Sequence, residues 1–113
     1  MRRGDIFYAR LNPTEDSEQA GTRPVVIVSR DAINQSSPVI VVCPFADAAH
    51  ITKLYPNDVL VKSPEGGLRK NSVVLAGQVR AISKDSLNKF TGSLAPQTLK
   101  QVDRALKITL DLL

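Results

Sequence analysis

The sequence predicts a small α+β domain, a curled and mostly antiparallel β-sheet followed by one C-terminal amphipathic helix. Three observations lead there. Short runs of strand-forming residues recur from Asp5 onward, separated by polar or Pro/Gly-containing stretches. The stretches between them lack the crossover helices that a parallel sheet needs. Finally, a sustained helical period comes only at the end, with Leu99, Val102, Leu106, Leu110 and Leu113 on one stripe and Lys100, Arg104, Lys107 and Asp111 opposite. A chain of 113 residues with no internal repeat or linker makes one domain, residues 1–113, with one modest core.

Taken in order, residues 5 to 11 are rich in strand formers and read as a first strand, ended by Asn12-Pro13-Thr14. A polar loop leads to a second strand at 24–29. Residues 30–37 are polar, with Asp31 placed to cap a turn of helix. The most apolar run, 39–46, reads as a central strand buried on both faces. Residues 47–57 show no period and read as a long loop, and 57–62 as a short strand. Pro64-Glu65-Gly66-Gly67 is a turn by composition. The next strand runs from about Ser72 to Ile82, with Gly77 as a bulge or bend. Residues 83–90 suit a short helix capped by Ser83 and broken by Gly92. Ser93, with Pro96 in the first turn, announces the last helix. The count is about five strands.

Composition narrows the chemistry. The single cysteine, Cys43, lies inside the most apolar run, where it behaves as a small hydrophobe; one cysteine excludes an intramolecular disulfide or a cysteine-based zinc cluster. With one histidine, His50, and scattered acidic residues, neither a metal site nor a Ser/His/Asp triad is expected. There is no Lys-terminated Gly-rich phosphate loop. The basic start Met1–Asp5 has no apolar run behind it, and no run approaches the ~18 residues of a membrane span. A soluble, cytoplasmic protein is expected, without cofactor or membrane contact. The formal net charge of +4 makes a polyanion a plausible partner.

The informative stretch is Glu15 to Pro24, which runs without apolar period into Val25-Val26-Ile27-Val28. Pro24 pushes Arg23 into an extended conformation at the mouth of a buried strand, and Gly21 lets backbone come close to a ligand. A guanidinium on such a rim can take two phosphate oxygens and stays charged; pairing with Glu18 or Asp16 is the plainer alternative. Downstream, the switch to period-2 alternation after Gly77 puts Gln78 and Arg80 on one strand face, at the edge of a groove or simply facing solvent. An arginine-centred anion site of this kind meets what metal-free RNA cleavage asks of a protein. The substrate's own 2′-hydroxyl is the nucleophile, and the protein positions the phosphate and stabilises its developing charge.

Arg3-Gly4-Asp5-Ile6, Asn12-Pro13, Ser17-Glu18-Gln19, Gly21-Thr22-Arg23-Pro24-Val25, Gln78-Val79-Arg80 and Val102-Asp103-x-Ala105-Leu106 together resemble, in order and spacing, the MazF/PemK (Kid) family of toxin–antitoxin ribonucleases. The resemblance spans about residues 2 to 110. It implies a small SH3-like barrel shared with the CcdB gyrase poisons, acting as a homodimer. It also implies sequence-specific, metal-independent cleavage of single-stranded mRNA to 2′,3′-cyclic phosphate and 5′-hydroxyl ends. An antitoxin's acidic, flexible C-terminal segment would fill the RNA groove. The family's catalytic arginine falls on Arg23, and its RNA-binding positions on Ser17, Glu18, Gln19, Gly21, Thr22, Pro24, Gln78 and Arg80. Glu18 is a candidate general base by position.

One departure stands out. The family's Pro-Leu-Thr-Ser-like tetrad becomes Pro44-Phe45-Ala46-Asp47, which puts Ala46 where a catalytic Thr or Ser belongs. Losing one transition-state donor typically costs ~10²–10³ in rate, so weakened turnover is expected. The readings of this alanine are an introduced inactivating change, a natural chain drawing its hydroxyl from Thr52, Ser17 or Thr22, or an inactive RNA-binding module. A CcdB-like gyrase inhibitor is the alternative from another functional class.

Overall fold

A computed structural model of the chain describes residues 1–12 and 21–113, in which seven strands and two α-helices form. In chain order they are β1 (Asp5–Leu11), β2 (Gly21–Ile27), α1 (Asp31–Ser36), β3 (Val39–Asp47), β4 (Asp58–Val61), β5 (Ser72–Leu75), β6 (Arg80–Ser83), β7 (Leu87–Ser93) and α2 (Pro96–Leu110). Among the described residues every strand pairing is antiparallel, in the order β4-β5-β3-β2-β1-β7, with β6 also on β3. The sheet curls but does not close. The α+β class and the curled antiparallel sheet are as the sequence predicts.

β3 organises the sheet because it is apolar on both faces. Cys43 and Phe45 point into one cluster with Ile6, Val26, Val28, Val59, Val61 and Val74, which α2 covers with Val102 and Ala105. Ile40 and Val42 point into a second cluster with Ala9, Leu11, Val25, Ile27 and Ile82. The unbroken apolar runs at 25–28 and 39–43 follow from serving two cores at once.

The chain start is tied down by polar groups. Gly4, at φ +94°, donates its N–H to Ile27 O and accepts at its carbonyl from Leu94 N. Asp5 Oδ1 accepts from Ser93 Oγ at 2.7 Å. The Arg3 guanidinium donates to Val28 O at 2.8 Å and pairs with Asp103 on α2, Nη2 to Oδ1 at 2.6 Å. Two of the segments carrying the family resemblance, Arg3–Ile6 and Val102–Leu106, therefore hold the fold together.

Several expectations need correction. The single strand expected at 72–82 is β5 and β6 with a 3₁₀ turn, Ala76–Gln78, between them. Both run along one edge of β3: Phe45 pairs with Val74 and Val42 with Arg80, so three steps back along β3 match six forward, and three residues loop out. Gln78 thus lies in a turn rather than on a strand. The helix expected at 83–90 is a 3₁₀ turn, Lys84–Ser86, and then β7. Ser83 does cap, but caps that turn, accepting from Asp85 N. β7 pairs with β1, whose edge would otherwise stay open, and Phe90 meets Phe7 edge-on at 5.3 Å. Local spacing could not reveal a long-range pairing. Ala95, not Ser93, precedes α2, and Leu110 and Leu113 are exposed rather than packed. Asp31 makes no cap; its carboxylate accepts from Arg3 N at 2.6 Å.

Cys43 is fully buried, and burial pushes its thiol from 9.0 up to about 12, with the Arg3 charge pulling weakly the other way. Between those pH values the unfolded chain ionises first and binds fewer protons, so stability falls as pH rises from 9 toward 12. The expected loss is up to about 1.4 kcal/mol per pH unit in that window. Urea unfolding of the protein and of Cys43→Ala at pH 8, 9.5 and 10.5 checks this, because the variant lacks this increment of pH dependence.

Candidate active site

β2 and β3 pair at Ile27↔Val42, Val26↔Cys43 and Val25↔Pro44, and the ladder stops there. Pro24 and Pro44 lack the N–H that would extend it. Continued by two residues, the same register sets Arg23 opposite Ala46. Beyond the last pair lies a cleft of about 350 Å³, and both residues line it, with Thr22, Pro24, Tyr8, Phe45 and Asp47. Arg23 is half-buried, and Ala46 is buried at the base of the strand.

The opposite wall is the turn between β4 and β5, which contributes Leu68, Arg69 and Lys70, with Ser72 at the start of β5. This turn is fixed at both ends. Gly66 and Gly67 take φ of +63° and +75°, and Thr91 Oγ1 donates to Gly66 O at 2.8 Å. Ser63 Oγ donates to Leu68 O, and the Asn71 side-chain oxygen accepts from Ser63 N. Ala48 N donates to Asn71 O at 2.9 Å, joining the turn to the end of β3. Buried Leu68 anchors it, leaving Arg69 and Lys70 exposed beside the cleft.

Asp47 Oδ1 accepts from Ala49 N at 2.9 Å, and Oδ2 meets Lys70 Nζ at 3.4 Å and His50 Nε2 at 4.0 Å. The Ala49 hydrogen bond, helped by Lys70, holds the Asp47 carboxyl below the ordinary carboxylate range. With Arg23, Arg69 and Lys70 against one carboxylate, the described lining is net positive. Such a cleft suits a phosphate bound by charge-assisted hydrogen bonds.

Of the residues singled out from sequence, Arg23, Thr22, Pro24 and Ala46 share this cleft. Gly21 opens β2 at φ +78° with open space beside it. Gln78 and Arg80 lie along the β6 side of β3 and do not line the cleft; the Arg80 guanidinium donates to Asn12 O at 2.9 Å. Ser17, Glu18 and Gln19 lie outside the described residues. Thr52 is not part of the lining, whereas Thr22, Tyr8 and Ser72 bring hydroxyls to it. Sequence reading missed Arg69 and Lys70. The available signal was the one that marked Arg23, basic residues at the mouth of a buried strand, here following a Gly-Gly turn.

The family model describing the PemK-like, MazF-like toxin of type II toxin–antitoxin systems matches residues 2–110. The chain belongs to this family. Among curated PemK/MazF-type relatives, a protein named endoribonuclease MazF from Staphylococcus epidermidis is 38% identical over 112 residues, covering 99% of this chain and 92% of its own length. Its namesake from Staphylococcus saprophyticus subsp. saprophyticus is 37% identical over the same span and coverage. Among solved structures, MazF from Deinococcus radiodurans superposes with a TM-score of 0.82 at 24% identity, covering 99% of this chain and 97% of that one. An endoribonuclease in complex with its cognate antitoxin from mycobacterial species gives a TM-score of 0.82 at 22% identity, covering 100% and 97%. These two likenesses establish the MazF-type fold, and the Staphylococcus relatives favour a ribonuclease over a gyrase inhibitor.

Proposed function

We propose that this PemK/MazF-like toxin is an endoribonuclease that cuts single-stranded RNA within the Arg23 cleft. The observation that carries the reading is that Arg23 and Ala46 line one cation-bearing cleft just beyond the last β2–β3 pair. In this reaction the 2′-oxygen bonds to phosphorus while the bond from phosphorus to O5′ breaks. The proton of the 2′-hydroxyl leaves and one is delivered to O5′. The products are a 2′,3′-cyclic phosphate and a 5′-hydroxyl, with no water consumed. Because the nucleophile belongs to the substrate, the protein has to hold the phosphate, align the 2′-oxygen and stabilise charge on the non-bridging oxygens.

Arg23 meets the last requirement with its planar fork of donors. Single-stranded RNA suits the cleft because its phosphates and unstacked bases are both accessible. The protein works as a homodimer in the cytoplasm, and its cognate antitoxin silences it by laying an acidic C-terminal segment over the same basic surface. Among the described residues no helix is long and apolar enough to cross a membrane.

Restoring a hydroxyl on β3 tests the reading. Ala46→Thr is expected to raise the rate on a long single-stranded RNA in EDTA by roughly tenfold or more, up to the ~10²–10³ that one transition-state donor supplies. A rate unchanged or lowered in a folded variant contradicts the assignment of position 46 to the catalytic centre.

A further inference from the structure

Resting on the ribonuclease reading, we infer that Lys70 is a catalytic residue that stands in for the hydroxyl missing at Ala46, binding a non-bridging oxygen of the scissile phosphate opposite Arg23. Lys70 and Arg23 line the same cleft of about 350 Å³ from opposite walls. A phosphate held on Arg23 in so small a space lies within reach of a four-carbon lysine side chain. Asp47, the residue after Ala46, holds Lys70 Nζ at the end of β3, with Oδ2 at 3.4 Å.

Asp47 does two things in this arrangement. It keeps a flexible cation at the rim of the cleft, one residue along β3 from Ala46, and its own charge, which would repel a phosphate, is neutralised by the cation it holds. The pair is largely exposed on the lysine side, 74% for Lys70, so it is held weakly enough for Nζ to swing onto an incoming phosphate. Lys70 also walls a shallower recess of about 540 Å³ with Asp47, Ala48, Ala49 and Asn71. It therefore stands where the RNA backbone would pass from one hollow into the next. No proton leaves Lys70 in this role; it supplies N–H donors and positive charge to the pentavalent state. Arg69 lines the cleft without the tie to Asp47 that Lys70 has, and serves as the comparison.

The test is a double-mutant cycle on the full chain, in EDTA at fixed salt, with single-turnover rates on one long single-stranded RNA. The proteins are the chain itself, Lys70→Ala, Ala46→Thr and the double variant, with Arg69→Ala and Thr22→Val beside them. Lys70 is exposed, so its variants are expected to fold, and circular dichroism checks this. Lys70→Ala should slow cleavage ~10²-fold or more in the chain itself, mainly in kcat, but less than about tenfold in the Ala46→Thr background. Arg69→Ala, which removes a cleft cation with no tie to position 46, should cost the same factor in both backgrounds, carried in KM.

Equal losses from Lys70→Ala in both backgrounds, carried in KM, overturn the inference and make Lys70 an ordinary phosphate contact. So does a loss that follows Thr22→Val instead. If the chain itself is inert while Ala46→Thr cuts, Lys70 fails as a substitute and the ribonuclease reading stands. If neither cuts, both fail.

Discussion

Arg23→Ala is expected to lower the RNA cleavage rate by ~10²–10³, whether measured on the chain itself or on Ala46→Thr. Arg23 sits where the β2–β3 ladder ends, and the rest of the cleft is built on the strands around it. Its backbone is fixed by pairing with Ala9 on β1 and by Pro24 beside it, so truncation leaves the β1–β2 ladder under the cleft in place. Arg23→Lys should recover only a small part of the loss, because an ammonium is a point charge without the planar fork that takes two phosphate oxygens. The loss should lie in kcat more than in KM if the guanidinium contacts strengthen as charge develops. Single-turnover kinetics with circular dichroism on the same samples checks the prediction. A folded Arg23→Ala that cuts at full rate removes Arg23 from the chemistry.

The second large effect is structural and reaches the site indirectly. Gly67→Ala should destabilise the protein by about 2–5 kcal/mol, a sizeable share of a small domain's total. At φ +75° any side chain is strained, and a Cβ here would come 2.2 Å from Thr91 O and 2.9 Å from Thr91 C, both backbone atoms of β7. Gly21→Ala is the control: its φ of +78° carries the same backbone strain, but nothing lies within 4 Å, so about 1–2 kcal/mol is expected. Urea titration of both variants separates clash from strain. Because Gly66 and Gly67 seat the turn that carries Leu68, Arg69 and Lys70, any Gly67→Ala that remains folded should also cut more slowly. Equal destabilisation by the two substitutions would refute the close approach of β7.

Much of this was legible in the sequence, and the reasons lie in particular residues. Runs buried on both faces announce themselves by composition alone, so strands could be placed at 24–29 and 39–46, where β2 and β3 run. The curled antiparallel sheet followed from the missing crossover helices. β7 was not legible: Leu87 and Phe90 sit three apart, as on a helix, and only the open edge of β1 makes the segment a strand. The break at Ala76–Gln78 was half legible, since Gly77 marked an irregularity without saying that three residues loop out.

In the site, Arg23 was legible because proline and a buried strand fix its place, and position 46 because the resemblance supplied a register. Arg69 and Lys70 were not. Their approach to Ala46 depends on a turn locked by glycines against a strand more than twenty residues later in the chain, which no local pattern encodes.

The most direct measurement is the chemistry of the ends left on RNA. A long single-stranded RNA is incubated in EDTA with the chain itself, with Ala46→Thr and with Ala46→Thr carrying Arg23→Ala, and the fragments are then analysed. The account predicts cuts at a few discrete sites, fastest with Ala46→Thr and nearly lost with Arg23→Ala. It predicts 5′-hydroxyl ends that polynucleotide kinase labels without prior phosphatase treatment, and 2′,3′-cyclic phosphates on the other side of each cut. Fragments bearing 5′-phosphates, which arise when water rather than the 2′-oxygen attacks, or intact RNA with all three proteins, would contradict it.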